Sequence, residues 1–302
     1  MTDEAPPARC GFVALLGAPN AGKSTLLNRF VGAKVSIVTP KVQTTRSRIL
    51  GIALRDAAQI IFIDTPGIFQ PKKRFDRAMV RAAWSGARDA DLIVVLIDAT
   101  EGVTANARRI IDGLSERKRK AICAINKIDA VERPALLTLA ETLDRAGPFS
   151  DIFMISALTG DGVGDLGTVL AKRIPLGRWL YPEDQIADMP LRLLAAEITR
   201  EKLFLQLQQE LPYAAAVETE AWTERDDGSV RIDQIIYVRR TSQKKIVLGK
   251  AGARVKSIGS AARKELEGMF DRRVHLFIHV KVRDRWIDDP ERYRELGLDY
   301  NA

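Results

Sequence analysis

The run GAPNAGKS (Gly17, Ala18, Pro19, Asn20, Ala21, Gly22, Lys23, Ser24) carries the residue types that can grip a phosphate chain. It matches GxxxxGK[ST] and stands between an apolar strand-like run and a helix-like one. Its glycines let backbone N–H groups turn inward, and the start of the following helix adds its positive dipole end. Lys23 would reach the β- and γ-phosphates, and Ser24 would bind Mg²⁺. Thr25, next in the chain, completes the expected contacts of this loop.

Three further motifs follow in order. DTPG (Asp64, Thr65, Pro66, Gly67) begins 41 residues after Lys23 and closes the apolar run QIIFID. There Asp64 can hold the magnesium through a water, and the Gly67 amide can meet the γ-phosphate. NKID places Asn126, Lys127 and Asp129 after another strand-like run. The Asp129 carboxylate can accept from the N1–H and 2-amino group of guanine, which adenine does not offer, and such a site discriminates strongly. Asn126 and Lys127 would brace the base and the phosphate loop. Ser156, Ala157 and Leu158 offer a backbone N–H to the guanine oxygen. Between the first two motifs, TPKVQTTRSR carries a threonine that can close over Mg²⁺ and the γ-phosphate, Thr45 or, in second place, Thr44. Ser24, Thr45 and Asp64 are thus the expected metal-binding set, and Lys23, Thr45 and Gly67 the expected catalytic set. Ile68, which follows DTPG and is counted with the nucleotide contacts, cannot orient a water by hydrogen bonding. Slow intrinsic hydrolysis is expected, completed by a partner or a cation.

These motifs need a frame. GFVALLG, QIIFID, LIVVLID, AICAIN and DIFMISA are short continuous apolar runs that alternate with helix-like stretches. That pattern predicts an α/β domain with a mostly parallel sheet and helices on both faces, over residues 9–177. QPKKRFDRAMVRAAW reads as a loop and helix that sense the γ-phosphate, with a basic membrane-facing segment as the rival reading. Residues 178–190, with Pro182 and Pro190, read as a linker. Residues 191–302 then predict a smaller α+β domain in the order α-β-β-α-α-β.

The chain has 302 residues and a net charge of +8. From Arg239 to Arg285 there are 14 Lys and Arg against 4 Asp and Glu, a net +10, which leaves −2 for the remainder. A cationic segment of this kind points to a polyanion, nucleic acid before an acidic membrane surface. Within it lies GKAG (Gly249, Lys250, Ala251, Gly252), a GxxG turn between two helices. Glycines there let a sugar-phosphate backbone approach closely, and Arg254 and Lys256 add charge. With the element order, this predicts a type II KH module that clamps about four nucleotides. Lys244, Lys245 and Ile246 join the expected RNA contacts, and Val247 and Ile258 are candidate groove residues beside Ile246. No apolar run approaches a membrane span, and MTDEAPPARC does not read as a secretory signal. Cys10 and Cys123 form no CxxC and read as buried small hydrophobes of a reducing compartment.

The four nucleotide motifs resemble those of the translation-factor-like GTPases. Over nearly the whole chain, GAPNAGKSTLLNRFVG, QTTRSRILGI, DTPGIF, NKID, ISALTG, ELPYAAAVE and QKKIVLGKAGARVKSIGSAARKELE are similar to the bacterial Era family. The resemblance implies a P-loop GTPase domain followed by the KH domain, with GTP and GDP as substrate and product and Mg²⁺ as cofactor. It implies binding to the 3′ region of 16S ribosomal RNA during assembly of the small (30S) ribosomal subunit. It further implies a cytoplasmic monomer, partly peripheral to the inner membrane. Asn20 resembles the asparagine of potassium-dependent relatives, which makes K⁺ a candidate stimulant. A GTPase acting mainly at the membrane surface or on tRNA is the alternative. A tRNA-modifying GTPase would need a C-terminal cysteine where this chain ends LDYNA, and a tandem GTPase would need a second phosphate loop.

Overall fold

The computed structural model describes residues 7–41, 44–46, 48–208, 211–284, 286 and 289–302, the side chains of 292 and 295 excepted. Gln43 of the QTTR motif and Arg285 of the basic segment lie outside the described residues. Two compact units form, one from Met1–Ser36, Val42–Asp188 and Tyr293–Ala302, the other from Ile37–Lys41 and Met189–Arg292.

The first unit runs β1 (Arg9–Gly17), α1 (Lys23–Val31), β2 (Ile49–Arg55), β3 (Ala58–Asp64), α2 (Arg74–Asp89), β4 (Leu92–Asp98), α3 (Ala105–Glu116), β5 (Ala121–Asn126), α4 (Arg133–Ala146), β6 (Phe149–Ile155) and α5 (Val163–Arg173). Its sheet has the order β2-β3-β1-β4-β5-β6. All neighbours are parallel except β2, which runs antiparallel to β3. The five apolar runs become β1, β3, β4, β5 and β6, because strands buried on both faces need side chains that are apolar on both. Val13, Leu15, Ile61, Phe62, Val95 and Ile125 are accordingly buried. The edge strand β2 carries an apolar run of its own, ILGIAL, which the five-run pattern leaves out. Its Gly51 sits so close to α1 that a β-carbon there would lie 3.0 Å from Val31 Cγ2.

Residues 178–188, expected as linker, fall in the first unit. Their far end pairs with β2, where the Ile52 amide donates to the Ile186 carbonyl at 2.9 Å and the Asp188 amide to the Leu50 carbonyl at 3.2 Å, and their near end is held by Gln59, fully buried on β3. Its side-chain oxygen accepts from the Leu180 and Tyr181 amides at 2.9 and 3.1 Å, and its nitrogen donates to the Tyr181 carbonyl at 2.8 Å. A buried amide needs such partners, and the extended segment supplies them. Both cysteines are buried, and burial pushes the Cys123 thiol up to about 12.

The second unit follows the expected order with α6 (Leu191–Gln206), β7 (Ala215–Glu224), β8 (Val230–Val238), α7 (Thr241–Leu248), α8 (Ala253–Phe270) and β9 (Val274–Val282). The short α9 (Pro290–Glu295) comes after. Its sheet β7-β8-β9 pairs β7 antiparallel and β9 parallel to the central β8. Phe204, Ile236, Val247 and Ile258 share one apolar cluster, and Ile198, Ile232, Ala262 and Leu266 another. Ile37 belongs to the latter cluster, and the Val38 amide donates to Glu201 Oε1 at 3.0 Å.

Candidate functional site

The phosphate loop leaves β1 at Gly17 and enters α1 at Lys23. Asn20 and Gly22 adopt left-handed φ angles of 64° and 96°. The turn brings the Lys23 ammonium onto the carbonyls of Gly17 and Ala18, at 3.3 and 3.0 Å. Burial lowers the Lys23 pKa to about 8, against the opposing pull of Asp64.

Asp64, at the end of β3, gathers three hydroxyls. Its Oδ2 accepts from Ser24 at 2.7 Å, Ser36 at 2.9 Å and Thr45 at 3.3 Å. Ser24 and Thr45 hydroxyls lie 3.0 Å apart. Burial raises the Asp64 pKa, and Lys23 and the three hydroxyls oppose the rise. Its Oδ1 is buried without a hydrogen-bond partner. An orphaned carboxylate oxygen beside two neutral hydroxyls is an all-oxygen donor set, which suits a hard cation such as Mg²⁺.

DTPG packs onto the phosphate loop. A β-carbon on Gly67 would lie 2.7 Å from Pro19 N, so only glycine fits. The Thr65 hydroxyl donates to the Leu15 carbonyl at 2.8 Å, which joins β3 to β1. Pro66 is buried as well. Ile68, counted with the nucleotide contacts, turns its side chain inward. Its side chain is fully buried in the main apolar cluster, and its amide donates to the Gly17 carbonyl at 3.0 Å. An isoleucine gains by that burial, so it contributes packing to the site.

Asn126 ends β5 and is buried. Its amide nitrogen donates to the Ala21 carbonyl at 2.8 Å, and its oxygen accepts from the Ala157 amide at 2.9 Å. One side chain thereby ties the phosphate loop to the Ser156–Leu158 loop. Ser156 is buried and its hydroxyl accepts from the Thr159 amide at 3.1 Å, which holds that loop in its turn. Lys127 has a left-handed φ of 68° and pairs with Asp98 at the end of β4. Burial pushes the Asp98 carboxyl up, but Lys127 and Thr100 outweigh it and hold its pKa below the usual carboxylate value. Asp129 lies exposed in a short 3₁₀ turn beyond them. A cleft of about 430 Å³, lined by residues including Thr25, Arg29, Lys34, Ala157 and Leu158, adjoins these loops.

In the second unit, Gly249–Gly252 forms the turn between α7 and α8. Gly249 has φ 73° and ψ 179°, and Ala251 and Gly252 are left-handed at 51° and 79°. A β-carbon on Gly249 would lie 2.8 Å from the Arg254 β-carbon, while one on Gly252 would meet nothing within 4 Å. The open side of the turn is thus at Gly252. Lys245, Lys250 and Lys256 are exposed around it and Lys244 is half-buried. Arg254 donates to the Ile246 carbonyl at 2.7 Å, which braces the turn. Of the three candidate groove residues only Ile246 is exposed, at 48%; Val247 and Ile258 are fully buried in the core.

Comparison with known proteins places both units. Residues 12–127 match the 50S ribosome-binding GTPase family and residues 210–287 the KH domain family. The chain is 59% identical to GTPase Era of Brucella suis, over 98% of this chain and 96% of that one. It is 60% identical to GTPase Era of Sinorhizobium medicae, over 97% and 95%. The chain belongs to the Era family of GTPases. Two solved Era structures superpose with a TM-score of 0.91 at 41% identity, each over 96% of this chain and 99% of the other. One is Aquifex aeolicus Era bound to GDP and tetrafluoroaluminate; the other is Era with MgGDPNP and nucleotides 1506–1542 of 16S ribosomal RNA.

Several residues of this Era-family site escaped motif reading. Ser36 reaches Asp64 because Asn28 on α1 accepts from the Val35 and Ser36 amides, both at 2.9 Å. Asp98 partners Lys127, and Arg29 donates to the Ala157 and Leu158 carbonyls. Only Asp98 left a sequence signal, as the polar end of LIVVLID at the same sheet edge as Asp64 and Asn126.

Proposed function

We propose that this Era-family chain binds and hydrolyses GTP through residues 9–177 and binds the 3′ region of 16S ribosomal RNA through residues 191–302, in assembly of the 30S subunit. Gly17–Thr25 wrap the phosphates, with Lys23 on the β- and γ-phosphates. Asp129 reads the guanine edge, with Asn126 and Lys127 as braces and Ser156–Leu158 beside the base. Ser24, Thr45 and Asp64 would hold Mg²⁺, which when bound would offset the charge of the β- and γ-phosphates. The Gly67 amide would meet the γ-phosphate as water attacks and GDP and phosphate form.

With Ile68 in the core, the residue after DTPG has no side chain near the attacking water. On this reading a bound partner, or K⁺ near Asn20, completes the site. Hydrolysis rates measured in K⁺ and in Na⁺ test the ion, and equal rates remove it.

The observation that carries the RNA reading is the left-handed, open turn at Gly252 among exposed lysines. A phosphodiester chain can approach it closely, and the start of α8 points N–H groups at the phosphates. The complex of Era with 16S nucleotides 1506–1542 supports that choice of RNA. Lys244, Lys245, Ile246, Gly249, Lys250, Ala251, Gly252, Arg254 and Lys256 are the proposed contacts. We place the chain, as a monomer, in the cytoplasm and partly at the inner membrane. No helix of the described residues is long and apolar enough to cross a membrane, so any such association would be peripheral. Crosslinking in cells followed by sequencing of the attached RNA tests the reading. Enrichment of the 16S 3′ end is expected, and enrichment of tRNA would overturn it.

A further inference from the structure

A cleft of about 660 Å³ lies between the second half of α2 and the end of α3. Ile93, at the N-terminal end of β4, forms part of its floor. The nucleotide loops stand at the opposite, C-terminal ends of the strands. Arg81, Arg88, Arg117 and Arg119 line the cleft around Trp84, together with Asp299.

A guanidinium has five N–H donors, and the protein engages few of them here. Arg119 donates to the Arg88 and Ala90 carbonyls at 3.1 and 2.8 Å. Arg117 donates to the Gly113 carbonyl at 2.9 Å, lies 4.2 Å over the Trp84 ring and sits 3.7 Å from Glu116. Arg88 reaches Asp89 at 3.2 Å. Arg81 pairs with Asp299 at 3.2 Å. The side chains of Arg81, Arg88 and Arg117 remain 63%, 78% and 47% exposed, and Lys118 and Lys120 stand exposed beside them.

We propose that this cleft is a second RNA site, which takes phosphodiester groups on Arg88 and Arg117 and which the Asp299 carboxylate partly closes. The identity of the polyanion rests on the RNA reading above. The charge of the lining favours a polyanion over a protein partner: four arginines, Arg81, Arg88, Arg117 and Arg119, face the cleft against one carboxylate, Asp299. Phosphate contacts need only exposed, planar cations, and an arginine plane held over a ring can also carry a base. Asp299 occupies Arg81 as a phosphate oxygen would.

The test uses the full chain and labelled RNA of 16S nucleotides 1506–1542, with binding measured across a salt series. In Arg88→Gln/Arg117→Gln the slope of log affinity against log salt falls by about 2. Asp299→Asn raises affinity, and this second variant gives a reading even if the arginine pair does not fold. The arginine pair in a Gly252→Asp background separates this site from the KH turn: a further loss there supports the cleft whatever the turn does. An unchanged slope in the folded arginine variant, judged by retained GDP affinity, overturns the proposal. So does a poly-glutamate peptide that binds the cleft arginines without displacing RNA.

Discussion

Asn126 and Ala21 are joined by a 2.8 Å hydrogen bond, from the asparagine side-chain nitrogen at the end of β5 to a carbonyl of the phosphate loop 105 residues earlier. The same nitrogen lies where a β-carbon on Gly22 would stand, closer than real β-carbons approach. Gly22 also holds a φ of 96°. Gly22→Ala therefore forces either the loop or the asparagine to move. Titration with a fluorescent GDP analogue should show nucleotide affinity largely lost while circular dichroism stays near wild type. Unchanged affinity would mean that the Asn126 tie is dispensable.

Lys23 should take up a proton when nucleotide binds in mild alkali. Burial lowers its pKa from 10.5 to about 8. Phosphate anions favour the charged form and raise it again. Calorimetry of GDP binding at about pH 9, in buffers of different ionisation heat, should report proton uptake that disappears near pH 6.5. Without nucleotide the sign runs the other way for stability. The unfolded chain holds this proton more tightly than the folded one, so the Lys23 contribution to stability rises as pH climbs from about 8 to 10.5.

The Asp98–Lys127 pair predicts an acid-side effect. The folded Asp98 pKa is depressed, chiefly because the Lys127 and Thr100 hydrogen bonds overcome burial. Its stabilisation is present above the unfolded carboxylate value of about 4 and is lost as pH falls below it. Asp98→Asn should melt below wild type at neutral pH, and the gap should close in acid. A gap that is constant with pH would exclude the pair as its source.

Ile68→Gln should not speed GTP hydrolysis, although glutamine could orient a water if it faced one. The side chain at 68 lies in the core. A buried amide without partners costs about 1–3 kcal/mol, so the expected result is a lower melting temperature at an unraised turnover rate. A marked gain in rate would show that the side chain swings out to the nucleotide.

The two glycines of the KH turn should respond differently. Gly249 combines φ 73° and ψ 179° with a close Arg254 β-carbon, in a backbone region almost confined to glycine. Gly249→Ala should therefore distort the turn and destabilise its domain. Gly252 has open space and only its φ of 79° to constrain it, worth about 1–2 kcal/mol for alanine. Gly252→Asp should fold and bind GTP yet lose RNA affinity, because it sets a negative charge where phosphates approach. RNA binding equal to wild type would remove the turn from the interface.

The sequence alone determined what lies in short contiguous runs. GAPNAGKS, DTPG and NKID each carry a glycine or polar residue at the end of an apolar strand, and burial on both faces of a sheet dictates that pattern whatever surrounds it. The KH order was legible because its helices and strands follow one another as separate local runs, with the GxxG turn marking the junction of α7 and α8. Tertiary structure decided the rest, since those features depend on where distant backbone happens to pass. The antiparallel direction of β2 is set by its pairing with β3 and not by its own apolar run. Asn28 matters only because it captures the chain at Val35 and Ser36 and so delivers Ser36 to Asp64. Asp98 matters because β4 lies beside β5 in the sheet, which brings Lys127 within reach. Ile68 follows DTPG in either account, but only packing shows which way it points. Gln59 in the same way holds the near end of residues 178–188 to the first unit, for a buried amide must find partners and the linker backbone was the one that passed.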